Sequence, residues 1–272
     1  MTAVTLITAP MVTCLAEMQI QTRGLNKMID WLKEYRPVCL PEESGCWALF
    51  PHKEEQDGIS HNELLVELAG RKCYNSFGLK AGKRSNAEYI ANTQGGDVPH
   101  ASILYHAKMT FFIANVSRRV SHELIRNYVG ADRDEEGSPS QESTRYTEHP
   151  GHFIVPPRLI NDGPVSVENF RRAMQAAYNQ YLAYVEGGLG RLGPKPDTIE
   201  RKRVLEAAAG FLPGQAATSW IWTTNPMALA KLFKERAHKD ADAEFFRLAV
   251  MWKELCLQTW PNLFPQPWMK TA

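Results

Sequence analysis

The chain has 272 residues, 44% of them hydrophobic and 22% charged, with a net charge of +1. That usage is ordinary for a globular protein able to bury a sizeable core, and the near-neutral balance excludes the strongly basic surface of a nucleic-acid binder. No apolar run reaches bilayer length and no basic-then-apolar signal opens the chain, so a soluble protein without a membrane partner is expected.

The five cysteines are Cys14, Cys39, Cys46, Cys73 and Cys256. They form no paired metal-ligand spacing and leave one over, which points to reduced thiols, a cytoplasmic location and no metal site. A short β-branched run at 4–8 predicts a strand ended by Pro10. Residues 27–35 carry Met28, Trp31 and Leu32 at helix-face spacing. An irregular connection over 36–58 follows, then a helix over 62–74 with Leu64, Leu65, Leu68 and Cys73 inward. Residues 109–116 fit a buried strand and 117–126 a helix with Val120, Leu124 and Ile125 on its apolar side. A helix is predicted over 166–186, broken by a Gly/Pro run at 187–196 that would form a mobile connection or lid. Further helices are expected over 198–210, briefly after Leu212-Pro213, and from Asn225 to about Trp260. Asn225 would cap the last of these with Pro226 behind it, and Leu229, Phe233, Ala237, Ala241 and Leu248 would form its stripe. The class is α+β, in one domain over 1–272, without βαβ alternation.

The densest chemistry lies between Ser121 and Tyr146. A helix ending in Arg126 leads into a polar stretch holding Ser138, Ser140, Gln141, Ser143 and Arg145. Arginine grips phosphate oxygens through a planar fork, and Gln and Ser supply directional donors and acceptors for a base or sugar. Residue types alone leave a solvated surface loop equally open.

The run from Phe111 to Arg126, followed by Ser140-Gln-Glu-Ser-Thr-Arg-Tyr146, resembles the signature of the flavin-dependent thymidylate synthases. That signature is an Arg-His-Arg triplet, a serine, then a Glu/Gln-x-Ser-x-Arg-Tyr run. His100-Ala-Ser102, His106 and Thr110-Phe111 upstream, and Leu212-Pro213, Thr218, Asn225 and Arg236 downstream, fall in the family's order over residues 69–249. The resemblance implies a central antiparallel sheet with long helices. It also implies reductive methylation of dUMP at ring carbon 5 to dTMP, with FAD, methylenetetrahydrofolate as carbon donor and NADPH as reductant. Each active site would be built from several subunits of a homotetramer.

Carried over residue by residue, Arg236 would stabilise the deprotonated pyrimidine, and Ser143 would orient the reacting base. Glu123, Arg126, Gln141, Glu142, Ser143 and Arg145 would contact the nucleotide. His100, Ser102, Arg126, Asn127, Tyr128, Asn225 and Lys231 would hold the flavin, with Tyr105 and Tyr128 as stacking surfaces. By residue type alone, an ordinary surface ion pair of Arg236 with Glu235, Asp240 or Glu244 is the favoured reading.

The chain departs from the pattern at several places. Arg126-Asn127-Tyr128 stands for the triplet, and an acidic insertion over 130–136 carries Asp132, Asp134, Glu135 and Glu136. Glu123 stands where the family has Gln, Tyr105 where it has Glu, and Ala209 where it has a phosphate-binding Arg. Met227 and Lys231 replace an Arg and an Asn. A substrate shifted to UMP or another pyrimidine nucleotide, hydroxymethyl transfer, and a non-catalytic nucleotide-binding scaffold are the alternatives.

Overall fold

The computed structural model describes residues 2–35, 49–50, 58–78, 82, 84–94, 100–128 and 139–264, with the side chains of Asn127 and Tyr128 outside that description. The expectations for Cys39, Cys46, Ser138 and the insertion over 130–136 therefore fall outside the described residues.

The centre of the molecule is a four-stranded antiparallel sheet in the order β2-β3-β6-β4: Met11–Glu17, Met109–Ser117, Ala217–Thr224 and Pro139–Gln141. A separate parallel pair joins β1 (Thr5–Ile7) to β5 (His152–Ile154). In β3, Met109, Phe111 and Ile113 turn to one face, and Trp220 and Trp222 of β6 join them. This apolar face lies under α8 (Pro226–Arg236) and α9 (Ala243–Thr259), which contribute Leu229, Phe233, Leu248 and Trp252. Trp252 meets Phe111 and Trp222 edge-on at centroid separations of 5.0 and 5.4 Å, a geometry that suits the ring quadrupoles.

Two satellite cores flank the sheet. α1 (Thr22–Tyr35) and α2 (His61–Tyr74) enclose Leu25, Ile29, Leu32, Leu64 and Phe77. α6 (Pro164–Leu192) and α7 (Thr198–Ala209) close over Phe153 with Met174, Tyr178, Tyr181 and Leu205. The remaining helices are α3 (Asn86–Gln94), α4 (Arg118–Tyr128), the short α5 (Pro157–Asn161) and a 3-10 turn over Ala101–His106. Among the described residues, no helix is long and apolar enough to cross a membrane.

A bulge bends β3 near its end. Ala114 and Asn115 together oppose Ser219, and Asn115 adopts a positive φ of 58°. Such an extra residue sharpens the strand's twist, and Asn tolerates the left-handed region better than most side chains.

Several expectations need correction. The segment after Leu212-Pro213 is not a short helix but β6, the strand on which the sheet is centred. The opening strand does end before Pro10, but a second strand not anticipated, β2, begins immediately after it at the edge of the other sheet. The long final helix is two helices, α8 and α9, with Asp242 capping the second through the amides of Glu244 and Phe245. Cys73 is exposed rather than in the core. The Gly/Pro run is not a mobile lid over its first half: α6 continues through Gly187, Gly188 and Gly190 to Leu192.

The physical reason for the last correction is packing. Glycine is a poor helix former by about 1 kcal/mol, but Gly188 lets α6 approach α7 so closely that an added Cβ would stand 2.5 Å from a Val204 methyl. Gly188→Ala is expected to destabilise the protein by about 1 kcal/mol, overpacking outweighing the helix-propensity gain. Val204→Ala in the same chain should restore part of that loss. Denaturant titration of the three variants checks this, and a neutral or stabilising Gly188→Ala would mean that α6 and α7 are not in contact there.

Candidate active site

α4 starts where β3 stops, and the junction is held from α9. The buried carboxylate of Glu244 accepts the Ser117 amide at 2.7 Å and the Ser117 hydroxyl at 2.9 Å. Burial pushes the Glu244 carboxyl up, and its bonds from Ser117 and the nearby Arg119 charge oppose that rise. Arg119 also forks onto Asp242 at 2.7 and 3.1 Å. The start of α4 is therefore fixed against the start of α9.

From this base α4 presents Glu123, whose carboxylate lies 3.0 Å from Nη2 of Arg236 at the end of α8. The Arg236 guanidinium also lies 5.5 Å from the Phe245 ring centre, within cation–π range. Two predicted residues, Glu123 and Arg236, are thus in direct contact. The ion-pair partner anticipated for Arg236 was Glu235, Asp240 or Glu244; the structure instead pairs it with Glu123. Arg126, one turn further along α4, is exposed.

A second constellation forms on the other side of α4. The Gln141 carboxamide of β4 donates to Ser121 Oγ at 2.9 Å and to Thr218 Oγ1 at 3.1 Å. Arg118 donates to the Glu142 carbonyl at 2.9 Å, and the Glu142 amide donates to the Ser219 carbonyl at 3.0 Å. Burial lowers the pKa of Arg118, and its Nε is enclosed without a hydrogen-bond partner among the described residues. Ser143 then opens a tight turn, its hydroxyl accepting the Arg145 amide at 3.3 Å and its carbonyl the Tyr146 amide at 3.1 Å.

α7 anchors that turn. Arg145 pairs with Glu206 at 3.0 Å, Arg201 donates to the Tyr146 carbonyl at 3.1 Å, and Lys202 sits 4.7 Å above the Tyr146 ring. Gln141, Glu142, Ser143 and Arg145 are therefore brought together, while Arg236 and Glu123 form a distinct group on α8 and α4. Arg118, Ser121 and Glu206 are contacts the sequence pattern did not single out. The adjacent pair Arg118-Arg119, inside the motif itself, was the available signal for the first.

The residues assigned to a flavin lie partly together. His100 precedes the 3-10 turn, hydrogen-bonds the Tyr74 hydroxyl through Nε2 at 2.5 Å and meets its ring edge-on at 5.4 Å. Ser102 on that turn is exposed, and the turn packs against α2 and α8. Asn225 caps α8 by accepting the Ala228 amide at 3.0 Å. Its Nδ2 is buried and has no hydrogen-bond partner among the described residues. Lys231 lies half-buried one turn and a half along α8. An orphaned amide donor, an exposed hydroxyl, a cation and an aromatic pair suit a ligand with ring acceptors and a pyrophosphate. Arg126 sits at the end of α4, on another element.

Next to the nucleotide-type residues is a cleft of about 180 Å³ lined by Phe112, Asn115, Glu142, His152, Thr218 and Ser219. That is below the roughly 300–1,000 Å³ typical of small-molecule sites. A larger hollow of about 570 Å³ between His238, Lys239, Val250, Lys253 and Leu257 contains none of the predicted site residues.

The turn ends on His149, which is buried among Phe153, Tyr178 and Tyr181. Its amide donates to the Tyr181 hydroxyl at 2.8 Å, its carbonyl accepts from Tyr178 at 3.1 Å, and its Nδ1 accepts the Gly151 amide at 3.2 Å.

Comparison with known proteins gives the relationship. Residues 57–262 match the family described as thymidylate synthase complementing protein, Thy1. A flavin-dependent thymidylate synthase of Mycolicibacterium vanbaalenii is 35% identical over 222 residues, covering 79% of this chain and 81% of its own. One of Mycobacterium tuberculosis is 35% identical over 205 residues, covering 74% and 76%. Among solved structures, the UMP/dUMP methylase PolB from Streptomyces cacaoi bound with 5-Br UMP superposes with a TM-score of 0.62 at 15% identity, over 99% of each chain. Its complex with 5-Br dUMP gives 0.61 at 16% identity, over 95% of this chain and 94% of that one. At those identities the likeness is one of fold.

Burial drives the pKa of His149 down to about 4. The unfolded chain takes up a proton below its ordinary value near 6.5 while the fold does not. Stability from this group is therefore complete above pH 6.5 and is lost as pH falls toward 4. Between pH 7.5 and 5 the loss should be about 2 kcal/mol. Urea unfolding of the wild type and of His149→Asn at both values checks this: the wild type should lose that much more than the variant, and equal losses would show His149 charged in the fold.

Proposed function

The chain belongs to the flavin-dependent thymidylate synthase family, and we propose that it methylates a uridine nucleotide at ring carbon 5, with dUMP as substrate and dTMP as product. The observation that supports this most is the retention of Arg126, Gln141, Ser143, Arg145 and Arg236 on the elements that flank β3 and β6. A scaffold that only folds has no need of all five.

Carbon 5 of uracil is weakly nucleophilic. A cation beside ring nitrogen 3 and its carbonyls stabilises the deprotonated ring and moves electron density to carbon 5; this is the role proposed for Arg236. Arg145 and Arg126 bind phosphate and base, Gln141 and Glu142 supply polar contacts, and Ser143 orients the ring. Glu123 stands beside the base contact. His100, Ser102, Asn225 and Lys231 hold FAD together with Arg126, Asn127 and Tyr128. Bound and reduced, the flavin supplies the hydride that, with the methylene of methylenetetrahydrofolate, makes the methyl group replacing the carbon-5 proton. NADPH supplies the reducing equivalents.

The proposed assembly is a cytoplasmic homotetramer. Two features support association of copies: the cleft at Glu142 is smaller than a nucleotide needs, and the sheet face opposite α8 and α9 carries exposed Met11, Leu15 and Ile221. The acidic insertion over 130–136 and the altered Arg126-Asn127-Tyr128 triplet favour a shifted substrate, UMP first, as the second reading.

A visible absorbance spectrum with added FAD, then dUMP or UMP, tests the class. A flavin band perturbed by one nucleotide is the expected result; absence of flavin binding at saturating FAD would leave a non-catalytic scaffold. Arg145→Ala should weaken nucleotide binding by about 1.5–3 kcal/mol, the range of a charge-assisted hydrogen bond, and unchanged affinity would remove Arg145 from the site. Arg236→Ala should lower kcat by roughly a hundredfold or more, as loss of a transition-state charge contact does, with flavin binding kept. Normal turnover would overturn its assignment.

A further inference from the structure

We infer that Glu123 is a built-in counterion that sets how much positive charge Arg236 offers the pyrimidine, and so how readily the bound base ionises. The inference rests on the site proposed above and concerns a residue whose role there is otherwise only contact.

The geometry is specific. Oε1 of Glu123 lies 3.0 Å from Nη2 of Arg236, with side-chain exposures of 27% and 21%. Phe245 stands 5.5 Å from the same guanidinium. An apolar ring and limited solvent reduce screening, so the carboxylate offsets much of the arginine charge. A lone guanidinium beside ring nitrogen 3 would favour the ring anion strongly. The near-neutral pair favours it less.

The carboxylate also narrows the hydrogen-bond pattern. Ionised Glu only accepts, whereas Gln accepts and donates. Beside Arg236, which only donates, Glu123 presents an acceptor next to a donor. A deprotonated nitrogen 3 would face the carboxylate with like charge. Glu123 therefore acts as a positioning and tuning residue through Arg236, and Gln in its place keeps an acceptor oxygen for the guanidinium while removing the charge.

The other ionisable groups near the pair are fixed in other contacts or shared by any comparison. Arg119, one turn before Glu123 on α4, is held by Asp242 and Glu244 of α9, and its charge, which also acts on Glu123, is the same in wild type and variant. His122 and Arg126 on α4, Lys231, Lys234 and Glu235 on α8, and His238 after it are the same in wild type and variant.

The test follows the ring ionisation itself. Fluorine at carbon 5 acidifies nitrogen 3, so the ultraviolet spectrum of bound 5-fluoro-dUMP or 5-fluoro-UMP reports the fraction ionised as pH is raised. In Glu123→Gln the bound nucleotide should ionise about tenfold more readily, its midpoint falling by about one pH unit. Glu123→Ala, which removes the charge without adding an amide, should move the midpoint the same way. Equal midpoints in wild type and Glu123→Gln, with nucleotide bound to both, would overturn the inference. So would a shift in Glu123→Gln alone, which would assign the effect to the amide. Failure of the wild type to bind either nucleotide would instead overturn the proposed function, and this inference with it.

Discussion

The antiparallel pairing of β3 with β6 is the constraint on which the candidate site depends. Phe111 stands opposite Trp222 and Ile113 opposite Trp220, so four large apolar residues share one face, and α8 and α9 must cover it. The chain leaves the two strands from opposite ends: α4 follows Ser117 and α8 follows Thr224. α8 then returns over the sheet and brings Arg236 to Glu123. The Glu244–Ser117 bonds fix this arrangement, because they tie the start of α9 to the end of β3. A buried carboxylate is costly unless its oxygens are satisfied, so loss of the Ser117 hydroxyl would leave one Glu244 oxygen with only the longer Arg119 contact.

The predicted residues divide between two frames. Arg236 and Glu123 ride on the helices that cover the sheet; Gln141 to Arg145 ride on the edge strand β4 and its turn, anchored by α7. Each frame is stiff on its own. β4 is only three residues long, and its ladder to β6 is supplemented by Gln141 on Ser121 and Thr218 and by Arg118 on the Glu142 carbonyl. Those bonds carry the position of Ser143 back to α4. Both frames therefore refer to the same helix, α4.

Legibility in the sequence followed burial. β3 and α2 were predicted within a residue or two, because their apolar positions recur with a clear period. The cap at Asn225 with Pro226 was legible from local chemistry alone. β6 was missed although Trp220 and Trp222 alternate with exposed Ile221; its β-branched and aromatic content outweighs any helical pattern. β2 gave little signal because an edge strand mostly facing outward has no buried period to show. Continuation of α6 through three glycines could not be inferred locally, since its support comes from Val204 on α7. The same holds for the site. Motif order indicated which residues to consider, but the pairings of Arg145 with Glu206 and Arg236 with Glu123 link segments far apart in sequence and required the fold.

Those two pairings differ in the property that decides what an anionic ligand can do to them. Arg145 and Glu206 have side-chain exposures of 56% and 58%. An ion pair so open to water contributes at most about 1 kcal/mol. A charge-assisted bond to a phosphate oxygen, at about 1.5–3 kcal/mol, is enough to draw Arg145 away from it. Arg236 and Glu123 are less than a third exposed, and Arg236 lies against Phe245. Removing one partner there leaves a poorly solvated charge, so the pair persists when a ligand arrives. The outer arginine is thus suited to exchange its carboxylate for phosphate, and the inner one to keep its carboxylate while it meets the base. With Ala209 in place of a further cation, the proposed phosphate contact would rest more heavily on that exchange at Arg145.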